Sequence, residues 1–311
     1  MPELPEVETV RATLASVLPG CTVDAVVTDG SPRFDGAADA LGATVTSVRR
    51  SGKYLLIGLG APGSDASDAV EDAELVIHLG MSGQLLLVDP EVPSPRFRFR
   101  ATLLPAEEHT GAGAAPVGLE LRDVRGFGRA AVVPRGDHAD LGVLARLGPE
   151  PDDDRLEAWL VERFAGRRVA VKALLLDQTV IGGVGNIYAD EALHRAGVHP
   201  EARGGDLRPP AIAALSAAVR EVIAAGVANG GTTLRDYRQA DGTDGDNQHH
   251  LAVYGREGEP CPACGSPIVK IRVAGRGTHL CRTCQVRPRR RRATAGPGGA
   301  SPNGRRRVSP R

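Results

Sequence analysis

No stretch of this 311-residue chain approaches the roughly 18 uninterrupted apolar residues that cross a bilayer, so the sequence gives no sign of a membrane protein. It also lacks the basic start and apolar run of a secretory signal: it opens MPELPEVE, acidic and with proline twice, and the expected compartment is the cytoplasm. Apolar residues at 41% and charged residues at 24% are ordinary soluble usage, which excludes a wholly disordered chain, and the length excludes a disulfide-stapled miniprotein. Lysine is nearly missing: Lys53, Lys172 and Lys270 stand alone among 38 basic residues, the rest arginine. A surviving lysine therefore hints at a position that wants a compact, titratable ammonium.

Net charge is absent as well, but the zero conceals an asymmetry. Residues 286–311 hold nine arginines and no acid, and without them the body sits near −9, with 29 basic against 38 acidic residues. Such a body lacks the basic surface that phosphate neutralisation usually demands. The acids are clumped, however, at Asp65, Asp68, Glu71, Asp72 and Glu74 and at Glu150, Asp152, Asp153, Asp154 and Glu157. Both clumps read as solvated loops, which leaves room for a basic groove elsewhere.

Apolar residues at Val7, Val10, Leu14, Val17 and Leu18 predict an amphipathic helix, with Pro5 in its first turn and Glu6 and Glu8 near its N-terminus. From residue 22 to about 133, eight short β-rich runs separated by Gly, Pro and Asp clusters predict a sandwich or barrel, interrupted by polar insertions at 60–74 and 105–118. The expected organisation is an N-terminal domain over 1–135, a linker over 136–155, a helical domain over 156–245 and a cysteine-bearing unit over 246–285. A disordered Arg-rich tail follows over 286–311.

Three motifs carry chemistry. Cys261 and Cys264, then Cys281 and Cys284 after sixteen residues, are paired CxxC knuckles that would offer four thiolates to one structural Zn2+. The rival is two redox dithiols, which would not need the strand–turn–strand pattern between the knuckles. That pattern puts Arg276 at an exposed hairpin tip, as a ligand-facing or merely solvated residue. Second, the Gly-rich turn before Asn186 would leave free amides at a helix N-terminus, a phosphate-binding arrangement, with Asn186 fitting an N-cap and Lys172 fourteen residues upstream. Third, removal of Met1 would expose the secondary amine of Pro2, with a pKa near ~8, beside Glu3 and Glu6; the bland alternative is that Pro and Glu simply start helices well.

Together, MPELPEVETVR, SGKYLL, HLGMSG, RGFG, GGVGNIYADEAL, GGTTLRD, VYGREGEPCPACG and GRGTHLCRTCQ resemble the bacterial formamidopyrimidine-DNA glycosylase family from Met1 to Gln285. The resemblance implies an α+β multidomain fold: an N-terminal β-sandwich with flanking helices, a helix–two-turn–helix domain and a C-terminal zinc-finger hairpin. It implies Pro2 as nucleophile, Glu3 as general acid/base and Glu6 as supporting carboxylate. Lys53 would reach toward the lesion, and Lys172, Asn186 and Arg276 would grip phosphates. Met81 and Phe127 would fill the gap left by an extruded base, with Arg125 pairing with the orphaned cytosine. The expected partner is double-stranded DNA with oxidised bases or abasic sites, bound by a monomer.

Two stretches depart from the family pattern. DPRRFG becomes Asp123-Val124-Arg125-Gly126-Phe127-Gly128, losing a rigid proline and a cation beside Arg125, and the loop after GGTTLRD lacks its usual aromatic. The expected activity is a bifunctional glycosylase/lyase acting on oxidised purines. The alternatives are an endonuclease VIII-like enzyme of oxidised pyrimidines, against which Leu4 speaks, and a non-catalytic binder of damaged DNA.

Overall fold

The structure, a computed structural model, describes residues 1–62, 70–92, 94, 96–106 and 115–287. The expected disorder of the tail beyond 287 and most of both insertions lie outside the described residues. All eight β-rich runs form strands: β1 (Thr22–Thr28), β2 (Thr44–Ser51), β3 (Tyr54–Gly60), β4 (Glu71–His78), β5 (Gln84–Val88), β6 (Phe99–Leu104), β7 (Val117–Arg122) and β8 (Arg129–Pro134). They run in the antiparallel order β5-β7-β6-β1-β2-β3-β4-β8.

The β1–β2 link is a single register pair, Thr22 with Thr44, whereas β1 pairs with β6 along its whole length. The sheet therefore turns a corner there and closes as a sandwich of two four-stranded layers. Val23, Leu85, Phe99 and Leu121 from one layer meet Val48, Leu55, Ile57 and Ile77 from the other. Helix α1 (Leu4–Ala15) buries Val7, Val10 and Leu14 in the same core, the face its spacing predicted.

The expected linker does more than connect. Leu141 and Leu144 are buried against Tyr54, Leu56 and Val76, so the segment covers the outer face of β3 and β4. The acid clumps also differ from the expectation of solvated loops. Glu71 and Glu74 lie in β4, and Glu74, only 1% exposed, pairs with Arg49 and His138. Glu150 binds Arg50 at 2.7 Å and the Gly52 amide at 2.7 Å. Each carboxylate is compensated by an arginine or histidine from a distant stretch, a pairing that local composition does not reveal.

The helical half comprises α2 (Leu156–Phe164), α3 (Val171–Leu176), α4 (Asn186–Arg195) and α5 (Pro209–Ala228). By length and composition alone α5 could cross a membrane, although Ser216, Arg220 and Glu221 break its apolar run. Its Ile212, Leu215, Val219 and Ile223 are instead buried with Leu160, Phe164, Leu175, Tyr188 and Leu193 in a second core. Strands β9 (Ile268–Val273) and β10 (Arg276–Cys281) form the closing hairpin. Its two turn residues, Ala274 and Gly275, have φ of 48° and 77°, the twist a two-residue hairpin turn requires. Arg276, the first residue of β10, is exposed beside that tip, as expected.

Candidate active site

Glu3 caps two helices at once. It is the N-cap of α1, where its amide donates to Glu6 Oε2 at 2.7 Å in a capping box. Its carboxylate accepts from the Ile187 and Tyr188 amides of α4, at 2.9 and 3.3 Å. The α4 amides that the sequence reading reserved for phosphate are therefore held by Glu3. Asn186 is the first residue inside α4, not its cap; that place belongs to Gly185. A Cβ on Gly185 would lie 2.3 Å from Glu3 Cδ, and one on Gly183 2.5 Å from Leu4 Cδ1. The Gly-rich turn thus exists to let α1 approach.

Glu6 is equally enclosed. Its Oε1 accepts from the Thr232 amide at 2.7 Å and from the Tyr188 hydroxyl at 2.8 Å. Burial pushes Glu3 up to about 7, with the Lys53 charge opposing and the Glu6 charge adding to the rise. Burial also raises Glu6. Lys53 follows Gly52 at the β2–β3 turn and is buried, its Nζ donating to the Val184 carbonyl at 2.9 Å. Burial draws its amine below the ordinary lysine range, against the pull of Glu3 and Glu6. The turn is fixed by Arg50, which pairs with Glu8 of α1 at 2.8 Å as well as with Glu150.

Lys172 lies in α3. It is wholly buried, 2.6 Å from Asp190 Oδ1, and its Nζ donates to Thr278 Oγ1 at 2.8 Å and to the Gly277 carbonyl at 3.1 Å. Asp190 Oδ2 accepts from the His279 amide at 2.8 Å, and Asn186 Nδ2 donates to the Gly277 carbonyl at 3.1 Å. These groups rivet β10 to α3 and α4. They hold Arg276 where its charge is felt by both Lys53 and Lys172.

From the sandwich, half-buried Met81 follows Gly80 (φ 66°) in the β4–β5 loop, and exposed Arg125 and Phe127 occupy the β7–β8 turn. The Arg125 guanidinium lies 5.4 Å from the Phe127 ring centre. Asp123, which the sequence reading passed over, joins the two loops. It accepts from Ser82 Oγ at 2.6 Å, the Gly128 amide at 2.6 Å and the Arg125 amide at 3.2 Å. Its only signal in the sequence was its place at the head of the Asp123–Gly128 stretch. A cleft of about 550 Å3 is lined by Pro2, Glu6, Met81, Arg125, Tyr254 and His279, among others.

The four knuckle sulfurs, of Cys261, Cys264, Cys281 and Cys284, all lie within 4.8 Å of one another. The Cys264–Cys281 and Cys261–Cys284 separations are 3.4 and 3.9 Å, near the ~3.8 Å edge of a tetrahedron with Zn–S bonds of about 2.3 Å. One structural Zn2+ fits this set and fills its coordination with thiolates. His194 Nε2 sits 3.3 Å from Cys261 Sγ and tethers the site to α4. Cys21, the fifth cysteine, is buried alone in the first core. Cys264→Ser, or chelation, should release zinc and weaken DNA binding at least tenfold while the sandwich stays folded. Native protein without zinc by metal analysis would contradict the assignment.

Three family models match: the formamidopyrimidine-DNA glycosylase N-terminal domain over residues 1–130, its H2TH domain over 147–238, and the zinc finger found in FPG and IleRS over 258–286. The formamidopyrimidine-DNA glycosylase of Deinococcus radiodurans is 43% identical over 290 residues, covering 92% of this chain and 97% of its own length. The solved MutM (FPG) protein of Thermus thermophilus superposes with a TM-score of 0.79 at 42% identity, covering 91% of this chain and 98% of that one. The Lactococcus lactis FPG mutant G226P, solved with DNA containing Fapy-dG, gives a TM-score of 0.80 at 31% identity, covering 92% and 100%. The wild-type Lactococcus protein is also solved with DNA containing an oxidised pyrimidine.

Proposed function

Because the chain belongs to the formamidopyrimidine-DNA glycosylase family, whose members are base-excision-repair glycosylases with abasic-site lyase activity, we propose that it removes oxidised purines with Pro2 as nucleophile. The observation that carries this reading is the buried Glu3–Glu6 pair directly beside Pro2, at a cleft that Met81 and Arg125 also line. Removal of Met1 exposes the Pro2 nitrogen. Its lone pair attacks C1′ of the damaged nucleotide as the bond from C1′ to the base breaks, the base leaving with a proton. The C1′–O4′ bond then opens, O4′ taking a proton from protonated Glu3, and the iminium forms between C1′ and the proline nitrogen. β- and δ-elimination then cut the strand on both sides.

The raised value of Glu3 suits this step. A proline amine near ~8 and an exposed carboxylate near ~4.3 are mismatched by almost four units, so freeing the amine by proton transfer would cost about 5 kcal/mol. With Glu3 at about 7 the mismatch falls to about one unit, or roughly 1.4 kcal/mol. Burial of Glu3 makes it a base matched to its amine. Lys53 and Arg276 supply positive charge toward the lesion's phosphates, Lys172 and Asn186 hold Arg276 in place, and Met81, Arg125 and Phe127 fill the space of the extruded base. A duplex-DNA substrate fits a cytoplasmic enzyme that associates with the nucleoid through DNA.

The test is incision of defined duplexes. An 8-oxoguanine·C duplex should be cut to leave a one-nucleotide gap. Faster cutting of an oxidised-pyrimidine duplex would favour the endonuclease VIII-like reading; the Lactococcus FPG is itself solved on oxidised-pyrimidine DNA, so the relative rate of cutting decides and binding alone does not. Tight binding without incision would leave a non-catalytic damage binder. Within this reading, Arg125→Ala should relax the preference for C over A opposite 8-oxoguanine by about tenfold or more, the scale of one lost base contact. An unchanged C:A ratio would remove Arg125 from orphan-base recognition.

A further inference from the structure

The turn that carries Arg125 and Phe127 has Gly126 where the family pattern has a second cation. The structure brings a guanidinium to that place from another strand. Arg98, just ahead of β6, donates from Nε to the Asp123 carbonyl at 2.9 Å and from Nη1 to Asp29 Oδ2 at 2.8 Å. Its amide donates to the Leu121 carbonyl at 2.8 Å and its carbonyl accepts from the Asp29 amide at 3.0 Å. Backbone and side chain are thus fixed at the root of the turn. Nη2 has no partner among the described residues and lies 3.5 Å from the place a Cβ on Gly126 would occupy. Gly126 has a φ of 66°, so an arginine there would be strained, and its bare backbone leaves the guanidinium open on that side.

We propose that Arg98 is a DNA-binding residue of this protein, contacting through Nη2 a backbone phosphate of the undamaged strand beside the orphaned base. The proposal rests on the reading that the cleft takes lesion-bearing duplex DNA. A turn that inserts Arg125 and Phe127 into the helix carries its own root against the sugar–phosphate chain next to the orphaned base. A guanidinium with two N–H bonds free suits a phosphate oxygen there. Asp29 and the Asp123 carbonyl use only the other two nitrogens, so they orient the group without occupying the edge that faces outward. Phosphate contacts position a protein and carry no sequence information. Arg98 should therefore act on affinity for every lesion pair, whereas Arg125 acts on the choice of opposite base.

The experiment compares wild type, Arg98→Gln and Arg98→Lys on 8-oxoguanine·C and 8-oxoguanine·A duplexes. In each, one linkage of the undamaged strand near the orphaned base is replaced in turn by neutral methylphosphonate. Wild type should lose about tenfold in affinity at one particular linkage. Arg98→Gln should bind the unmodified duplexes about tenfold more weakly, with the C:A ratio unchanged, and should be indifferent to that linkage; Arg98→Lys should regain part of the sensitivity. The slope of log K against log[salt] should fall by about one in Arg98→Gln. A merely structural role for Arg98 would weaken binding yet leave the methylphosphonate penalty intact, and that result overturns the proposal. Failure of the wild type to bind or cut any lesion duplex would overturn the functional reading beneath it.

Discussion

Glu3→Gln is expected to slow single-turnover base removal by at least ~100-fold, the usual scale for loss of a positioned general acid/base. Gln keeps the shape but only one of the two acceptors that Glu3 offers the α4 amides, so some stability is lost as well and the rate is compared on folded protein. The pH dependence gives the sharper signature. With Glu3 at about 7, its protonation at lower pH removes the base that frees Pro2, so the wild-type rate should fall as pH drops through about 7. An acid limb at the ordinary glutamate value, between 4 and 5, would mean that burial does not tune this group. The same shift sets a stability trend. A carboxyl whose folded value lies above its unfolded value stabilises fully below the unfolded value, and that stabilisation is lost as pH rises through the folded value. Wild-type stability should therefore decline between about pH 4.5 and 7, by up to about 3 kcal/mol, in a component absent from Glu3→Gln.

Lys172→Met should cost about 3–5 kcal/mol of folding stability, because it leaves the Asp190 carboxylate buried without its partner. Arg276 should lose its fixed position at the same time, so DNA binding should weaken although Lys172 need not touch DNA. The double variant Lys172→Met/Asp190→Leu should recover most of the stability, since removing a buried pair together is far cheaper than breaking it. Chemical denaturation of the three proteins decides. If Lys172→Met kept full stability and lost only affinity, Lys172 would be a direct phosphate ligand, the role its resemblance to the family implies.

The fold was legible where local pattern decides it. Short β-rich runs between Gly, Pro and Asp clusters predicted the eight strands, three- and four-residue apolar spacing predicted α1, and the CxxC knuckles placed the zinc and the hairpin. What stayed hidden were pairings between residues far apart in sequence. Glu3 reaches the Ile187 amide 184 positions away, and Lys172 reaches Thr278 106 positions away. No periodicity encodes such contacts, so a free helix N-terminus was the natural local reading. Glu74 and Glu150 were misplaced for the same reason, their arginine partners lying on other strands. Glycine mattered in a similar way: Gly183 and Gly185 suggested a phosphate cradle, but their missing side chains make room for Leu4 and Glu3.

The most direct test of the central claim is borohydride trapping of the protein on an 8-oxoguanine·C duplex, followed by peptide mapping of the cross-link. Reduction of the iminium should join DNA to the nitrogen of Pro2, and protein that retains Met1 should give no adduct. A cross-link at Lys53, or incision without any trapped adduct, would contradict the account.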